Sequence, residues 1–175
     1  MSGMDLQGKL RVVPDFPKPG ISFKDITTLL KDGPAFRECI RLMAAQCRGR
    51  EFDLVVSPEA RGFILGGALA YELGVGFVPV RKRGKLPWKV IRGEYKLEYG
   101  MDTLEMHVDA VSRGQRVIVV DDVLATGGTI SATLDLVEKV GGVISAVAFL
   151  IELTYLPGRE NLRKYDVISV LKLES

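Results

Sequence analysis

The sequence predicts an α/β fold, with a mostly parallel central sheet flanked by helices. Two observations lead to this prediction. Apolar runs that do not alternate with polar residues, such as Val117 to Val120, are typical of strands buried on both faces. Helical patterns separate these runs along the chain. Strands that alternate with helices form parallel sheets with right-handed crossovers, so the order of elements predicts this architecture.

The predicted elements follow one another in a regular order. Prolines 14, 17 and 19 exclude regular helix from residues 11–26, and residues 1–9 are expected to form a frayed helix. The N-terminal segment, residues 1–33, is called the hood below. A polar stretch at residues 81–100 is expected to form a loop and a hairpin. The predicted strands are residues 54–56, 77–80, 117–120, 143–151 and 167–171, and the predicted helices are residues 34–47, 61–73 and 130–140. We expect one domain over residues 1–175.

Composition narrows the class of protein. A chain of 175 residues with 47% hydrophobic content can bury one substantial core. Its formal net charge of +2 does not favour nucleic acid as the main partner. No apolar run approaches the ~20 residues of a membrane span, and the N-terminus carries no basic-then-apolar signal. Cys39 and Cys47 suit unpaired thiols in a reducing compartment. We expect a cytoplasmic protein that binds neither nucleic acid nor membrane.

The most informative segment is residues 117–129. Its apolar strand ends on Asp121 and Asp122, whose carboxylates can accept hydrogen bonds from neighbouring sugar hydroxyls. A short loop then opens a helix, and amides at a helix N-terminus can hold a phosphate. A Walker loop would need a lysine here, and a dinucleotide loop would need Gly-x-Gly-x-x-Gly. The pattern predicts a phosphorylated-sugar site, whose loop, called the phosphate loop below, is Ala125, Thr126, Gly127, Gly128 and Thr129.

This segment resembles the signature of the type I phosphoribosyltransferases, which bind 5-phosphoribosyl 1-pyrophosphate (PRPP). The resemblance implies that the phosphate loop holds the 5-phosphate and that Asp121 and Asp122 contact the ribose. In the mechanism we expect, the two carboxylates also stabilise positive charge that develops on the sugar. The family uses Mg²⁺, a hard cation that retains water ligands. We expect it to be held mainly by PRPP oxygens and water rather than by side chains.

Two further segments resemble the pyrophosphate contacts of the family. Residues 57–63 match its pyrophosphate loop, which implies roles for Glu59, Ala60 and Arg61 and a non-proline cis peptide between Glu59 and Ala60. Residues 81–87 (Arg-Lys-Arg-Gly-Lys-Leu-Pro) match the adenine-specific members, in which basic residues reach pyrophosphate partly across a dimer interface. We assign that role to Arg81 and Lys85 and expect a homodimer. For Lys82 and Arg83 a structural role is an equal alternative, since charge runs are commonly solvated surface.

The hood resembles the base-binding segment of the adenine-specific members. The resemblance implies that Phe23 stacks on adenine and that Val123 closes the other face of the base. It also implies that the Ser22 carbonyl accepts from the exocyclic amine and that the Lys24 amide donates to N1. Many members carry a bulkier apolar residue at the position of Ser22 and arginine at that of Lys24. If only backbone atoms read the base, both departures are tolerated.

Residues 81–100 are expected to act as a lid. The motif Leu-Glu-Tyr-Gly at residues 97–100 is typical of the adenine-specific members. It implies that Glu98 moves a proton at the imidazole side of the purine and that Tyr99 helps cover the site. The catalytic set is therefore Glu98, Asp121, Asp122 and Arg61. No role is assigned to residues 88–93, and the single histidine, His107, is interpreted as structural.

The motifs together indicate an enzyme that transfers the phosphoribosyl group of PRPP to N9 of adenine, giving AMP and pyrophosphate. Two alternatives remain open. The first is an enzyme for another purine base, although the hood and the motif at residues 97–100 argue against it. The second is a PRPP-sensing regulator of the same fold. Such a regulator would be expected to carry a basic helix or another DNA-binding module, and the near-neutral charge argues against it.

Overall fold

The structure is a computed structural model that describes residues 4–96 and 101–175. Within these ranges the strands are β1 (Arg11–Val13), β2 (Phe23–Asp25), β3 (Leu54–Pro58), β4 (Gly76–Lys82), β5 (Val90–Lys96), β6 (Met101–His107), β7 (Arg116–Leu124), β8 (Val143–Leu153) and β9 (Val167–Leu173). The helices are α1 (Thr27–Leu30), α2 (Gly33–Cys47), α3 (Arg61–Leu73), α4 (Gly128–Lys139) and α5 (Gly158–Asn161). None of the described helices has the length and apolar character needed to cross a membrane.

Seven strands form the central sheet, in the order β5-β6-β4-β3-β7-β8-β9. Strands β4, β3, β7, β8 and β9 are parallel to one another. Strands β6 and β5 extend the sheet at one edge in antiparallel register. The predicted mostly parallel α/β architecture is confirmed, with an antiparallel hairpin added at the edge.

The core lies on both faces of this sheet. Ile118 and Val120 of β7 pack into the cluster that contains the buried residues of α2 and α3. Val117 and Val119 point to the opposite face and pack with the buried residues of α4. Side chains alternate across a strand, so a continuous apolar run buries both faces at once. This arrangement explains why residues 117–120 show no polar alternation.

Local sequence signals account for the helix ends. The side chain of Asp32 accepts a hydrogen bond from the Ala35 amide at 3.1 Å and so caps α2, with Pro34 in its first turn. Helix α3 ends at Gly74, whose φ of 69° is in the left-handed region that favours glycine. The observed α3 coincides with the predicted helix, and α2 begins one residue earlier than predicted.

Several strands are longer than predicted. We expected the signature strand to end at the two carboxylates, but β7 continues through Asp121 and Asp122 to Leu124. Its parallel partner β8 supplies the reason, since pairing runs on to Leu124 opposite Glu152. Hydrogen bonds of a parallel ladder are made by the backbone, so polar side chains do not end a strand. Strands β3 and β4 likewise extend to Pro58 and Lys82, and β5 begins within the expected loop.

The hood packs onto the main core. Strands β1 and β2 form a two-stranded antiparallel sheet of their own. Buried Leu6, Ile26 and Leu29 join the apolar cluster beneath α2 and α3. The hood also contains a cis peptide between Phe16 and Pro17. These contacts hold β2 close to the carboxyl end of β7, which places hood and signature residues around one cavity.

Candidate active site

A cavity of about 990 Å³ lies at the carboxyl ends of the parallel strands. Ligands bind at this edge in open α/β sheets. Hood residues form one wall, and the end of β7 with the phosphate loop forms another. The sequence-predicted residues that line it are Ser22, Phe23, Lys24, Arg61, Asp121, Asp122, Val123, Ala125, Thr126, Gly127, Gly128 and Thr129. The structure thus joins segments separated by about a hundred residues in the chain.

Asp121 and Asp122 form a partly desolvated pair of carboxylates. Burial raises the pKa of Asp121 well above its usual value, and the neighbouring charge of Asp122 raises it further. Burial also raises the pKa of Asp122, while the charge of Arg61 works in the opposite direction. The Asp122 amide donates to Asp121 Oδ1 at 2.9 Å. A raised pKa with a nearby charge partner in a cleft is a common feature of functional carboxylates.

Arg61 and Gly62 bring the start of α3 against the two carboxylates. The Nε of Arg61 lies 2.9 Å from Asp122 Oδ2. This contact is an ion pair, and Asp122 Oδ2 accepts no hydrogen bond from the described residues. At Gly62, a Cβ would come within 2.9 Å of Asp121 Oδ1. A Cβ at residue 62 would therefore displace this carboxylate, so glycine permits the close approach.

The phosphate loop presents backbone amides to the cavity. Gly127 has a φ of 86° and precedes the first residue of α4. A residue with this φ favours glycine, which explains one of the two adjacent glycines. Across residues 4–96 and 101–175, the amides of Thr126 and Gly127 donate to no protein acceptor. Free amides at a helix N-terminus form an anion-binding arrangement without a cationic side chain.

The hood contributes an aromatic ring and a buried lysine. The guanidinium carbon of Arg61 lies 4.9 Å from the ring centroid of Phe23, and the ring of Phe16 meets Phe23 edge-on at 5.1 Å.

Lys24 is only 7% exposed. Its Nζ donates to Ser22 Oγ at 3.0 Å and to the Ser175 carbonyl at 2.9 Å. The ends of the Ser22 and Lys24 side chains therefore contact each other.

The residues assigned to pyrophosphate are divided between two places. The peptide between Glu59 and Ala60 is cis, as the resemblance implies. Glu59, Ala60, Arg81 and Lys85 are not among the residues that line the cavity, whereas Arg61 is. Lys85 Nζ instead lies 2.7 Å from Glu59 Oε2, and Arg81 Nε lies 3.8 Å from Glu59 Oε1. These two cations are paired with Glu59 in the structure.

The pKa of Glu59 reflects this pairing. Burial of its carboxyl raises the pKa, but the bonds from Lys85 Nζ and the Lys82 amide outweigh burial and the net shift is downward. Glu59 is therefore a carboxylate at neutral pH. Lys82 contacts Asp102 at 3.2 Å, which gives it a structural contact outside the cavity.

Two expected lid residues, Glu98 and Tyr99, lie outside the described residues. Residues 88–93, which had no assignment, contain the start of β5. Gly93 has a packing role in this segment, because a Cβ at this position would lie 3.2 Å from the Leu136 side chain of α4. His107 lies in β6, and its ring meets Trp88 edge-on at 6.3 Å. It does not line the cavity, which agrees with a structural interpretation.

Sequence reasoning missed several residues that line the cavity. Tyr95 is one of them, and its hydroxyl donates to Asp102 at 3.0 Å. Burial is the main reason that the pKa of Tyr95 is raised to about 12. The others are Gly20, Ile21, Ile130, Leu153, Tyr155, Leu156 and Ser175. Leu153 is the last residue of β8, and Tyr155 and Leu156 follow it. Because ligands bind at the carboxyl ends of the strands in such sheets, these positions could have been located from the sequence.

Comparisons with known proteins agree with the geometry of this site. A family model described as the phosphoribosyl transferase domain matches residues 26–174, so the chain belongs to the phosphoribosyl transferase family. It is 57% identical over 168 residues to the adenine phosphoribosyltransferase of Caldanaerobacter subterraneus subsp. tengcongensis. The aligned residues cover 96% of this chain and 97% of that relative.

Two solved structures extend the comparison. The adenine phosphoribosyltransferase of Thermoanaerobacter pseudethanolicus superposes with a TM-score of 0.95 at 57% identity, covering 97% of this chain and 98% of that one. The Saccharomyces cerevisiae enzyme, solved with adenine and an imino-altritol bisphosphate, has a TM-score of 0.90 at 37% identity, covering 95% and 97%. The chain is thus an adenine phosphoribosyltransferase, which forms AMP from adenine and PRPP.

Proposed function

We propose that the cavity binds adenine against the hood and PRPP along the end of β7, so that the two substrates meet over Asp121 and Asp122. The observation that carries this proposal is the shared lining, in which Phe23 and the phosphate loop border the same space of about 990 Å³. The yeast relative was solved with adenine and a bisphosphate together, which supports a site that accepts a base and a phosphorylated ring side by side.

In this arrangement the 5-phosphate of PRPP binds the free amides of Thr126 and Gly127 and the start of α4. The ribose hydroxyls donate to Asp121 and Asp122, two of the residues that line the cavity. As the bond to pyrophosphate breaks, positive charge develops on the ribosyl ring. Two preorganised carboxylates with little solvent around them stabilise that charge more strongly than carboxylates in water.

Adenine binds between Phe23 and Val123, with the Ser22 carbonyl and the Lys24 amide reading its polar edge. The contacts of Lys24 support this assignment, because its Nζ is already occupied by Ser22 Oγ and the Ser175 carbonyl. The lysine side chain therefore supports the hood, and recognition of the base is assigned to the backbone. Backbone reading also explains how serine and lysine can replace the residues that many family members carry.

Pyrophosphate binds at Arg61 and the neighbouring loop of Glu59 and Ala60, with Arg81 and Lys85 completing the anion site. Because Lys85 is paired with Glu59 at 2.7 Å, an entering pyrophosphate competes with that carboxylate for the ammonium group. The chain is proposed to act as a homodimer, in which basic residues of this segment also reach the partner's site.

The oxygen-rich donor set fits a hard divalent cation. Mg²⁺ retains water ligands, so it is proposed to bind mainly through substrate oxygens and water. A bound Mg²⁺ would supply positive charge to offset that of the departing pyrophosphate. Asp121 and Asp122 line the cavity and are proposed to orient the sugar through its hydroxyls.

Glu98 and Tyr99 complete the proposal through the family resemblance. Glu98 handles the proton at the imidazole side of the base, and Tyr99 excludes water from the cationic sugar. Replacing Glu98 with glutamine is expected to lower kcat while the Kd for PRPP stays unchanged. A loss of PRPP affinity of the same size would instead assign Glu98 to substrate binding.

The experiment that tests this function measures AMP or other nucleotide formation from PRPP and Mg²⁺ with adenine, guanine, hypoxanthine and xanthine in parallel. Turnover confined to adenine supports the hood assignment. Turnover with an oxopurine would retain the PRPP site and overturn base reading by Ser22 and Lys24. Tight PRPP binding without turnover of any base would favour a PRPP-sensing regulator.

A further inference from the structure

Helix α5 contacts the phosphate loop without lining the cavity. Asn161 Nδ2 donates to the Thr126 carbonyl at 2.9 Å. A methyl group built at Gly158 would overlap the Ala125 carbonyl oxygen and lie 2.7 Å from Leu124 Cδ1. Helix α5 therefore meets the loop at two consecutive carbonyl groups.

The geometry of the peptide bond gives these contacts a consequence for the cavity. In a trans peptide the C=O of one residue and the N–H of the next lie in one plane and point in opposite directions. Holding the Thr126 carbonyl toward Asn161 turns the Gly127 amide away from α5. The close approach of Gly158 to the Ala125 carbonyl does the same for the Thr126 amide. Neither of these two amides donates to a protein acceptor within the described ranges.

Helix α5 is itself fixed to the sheet. Arg159 forms a two-point ion pair with Glu152, which is 3% exposed, and its Nη1 donates to the Val167 carbonyl at 3.3 Å. Ser169 also donates to Glu152. The bond to Arg159 is the main reason that the pKa of Glu152 is lowered, so the pair stays charged at neutral pH. Glu152 stands beside Leu124, the last residue of β7, in the parallel register.

We propose that Asn161 and the pair of Arg159 and Glu152 are positioning residues that aim the amides of Thr126 and Gly127 at the 5-phosphate. The inference rests on the proposed function, which assigns that phosphate to the phosphate loop. Strand β8 holds α5 through Arg159, and α5 holds the loop carbonyls through Asn161 and Gly158. The amides are thereby oriented before PRPP arrives, which reduces the entropy lost on binding.

The first test compares Asn161→Ala with the control Arg163→Ala. Arg163 lies two residues after the end of α5, and its side chain is 80% exposed and forms an ion pair with Glu160. Loss of one hydrogen bond is expected to weaken ribose 5-phosphate binding and raise the KM for PRPP by about three- to tenfold in Asn161→Ala. At saturating PRPP, kcat and the KM for adenine should stay within about twofold of the parent values. An ordinary loss of folded protein would not affect the two substrates differently, so this comparison distinguishes it from a positioning role.

A second variant tests the same contact from the other side. Gly158→Ala should displace the Ala125 carbonyl and weaken ribose 5-phosphate binding, with melting temperature measured alongside to confirm folding. Gly67→Ala is the matched control, because a Cβ there meets nothing within 4 Å. The control is expected to leave binding of ribose 5-phosphate and adenine unchanged.

Amide NMR of the labelled parent protein separates this inference from the proposed function. Ribose 5-phosphate should shift the Thr126 and Gly127 amide resonances. If those resonances move but Asn161→Ala and Gly158→Ala bind ribose 5-phosphate as tightly as the parent, the positioning role is wrong and the loop assignment stands. If the resonances do not move, the loop is not the phosphate site and both proposals fail. Equal weakening of adenine and ribose 5-phosphate in Asn161→Ala would also overturn the positioning role.

Discussion

Arg61 and Asp122, which both line the cavity, form an ion pair of 2.9 Å. The same guanidinium lies 4.9 Å from the ring centroid of Phe23, so one side chain contacts both the carboxylate pair and the hood. Arg61 thus links the proposed sugar position to the proposed base position. Its charge also opposes the upward shift that burial causes in the pKa of Asp122.

Arg61→Gln is expected to move the acid limb of the pH profile of kcat/KM to higher pH. Removing the guanidinium removes the influence that lowers the Asp122 pKa, so this carboxyl takes up its proton at a higher pH than in the parent. Activity that requires an ionised Asp122 is then lost earlier as pH falls. The pH profile of kcat/KM for PRPP, measured for the parent and for Arg61→Gln, tests this prediction. An unshifted acid limb would mean that Asp122 does not control it.

Asp121→Asn should stabilise the fold while impairing catalysis. The folded-state pKa of Asp121 is raised, so folding favours the neutral form, and that contribution is lost as pH rises through the folded pKa. At neutral pH a neutral amide removes the cost of burying the charge. We expect a melting temperature higher by about 2–4 °C, corresponding to roughly 1 kcal/mol, and kcat lower by at least about tenfold.

Asp135→Asn is the control for this comparison, since Asp135 is exposed on α4 and should change neither quantity. Thermal melts at neutral pH and steady-state kinetics on the same preparations give both values. A lower melting temperature for Asp121→Asn would show that its charge supports the fold.

Phe23→Ala is expected to raise the KM for adenine by about tenfold or more, because stacking of a base on an aromatic ring contributes about 1–3 kcal/mol. The KM for PRPP should change much less, as Phe23 belongs to the hood wall of the cavity. Val12→Ala serves as the control, since Val12 is an exposed hood residue. Equal effects on the two substrates would remove the stacking assignment.

Lys24→Met tests backbone reading of the base. The variant removes the donor to Ser22 Oγ and the Ser175 carbonyl, so a lower melting temperature is expected, by the equivalent of about 1–3 kcal/mol. The preference for adenine over hypoxanthine should persist, because the amide of residue 24 is retained. A fall in that preference, measured as the ratio of kcat/KM values, would assign base selection to the ammonium group.

The sequence predicted which residues line the cavity more completely than it predicted the contacts among them. Asp121, Asp122 and the phosphate loop were found because a buried apolar strand followed by glycines is a local pattern. The end of β7 was misplaced because its continuation depends on pairing with β8, which is a distant part of the chain.

Long-range contacts account for the other differences. The pairing of Lys85 with Glu59 brings together residues 26 positions apart, and neither residue type alone indicates it. The link from Asn161 to the phosphate loop spans 35 positions and involves only a backbone carbonyl of Thr126. Such contacts leave no periodicity or motif, so they become visible only once the fold is known.

The central claim is that one cavity holds the base against the hood and the phosphate on the phosphate loop. A crystal structure of the protein with AMP tests it most directly, since AMP carries both groups. The account predicts the purine between Phe23 and Val123 and the phosphate within hydrogen-bond distance of the Thr126 and Gly127 amides. A purine bound away from Phe23, or a phosphate bound away from those amides, would contradict it.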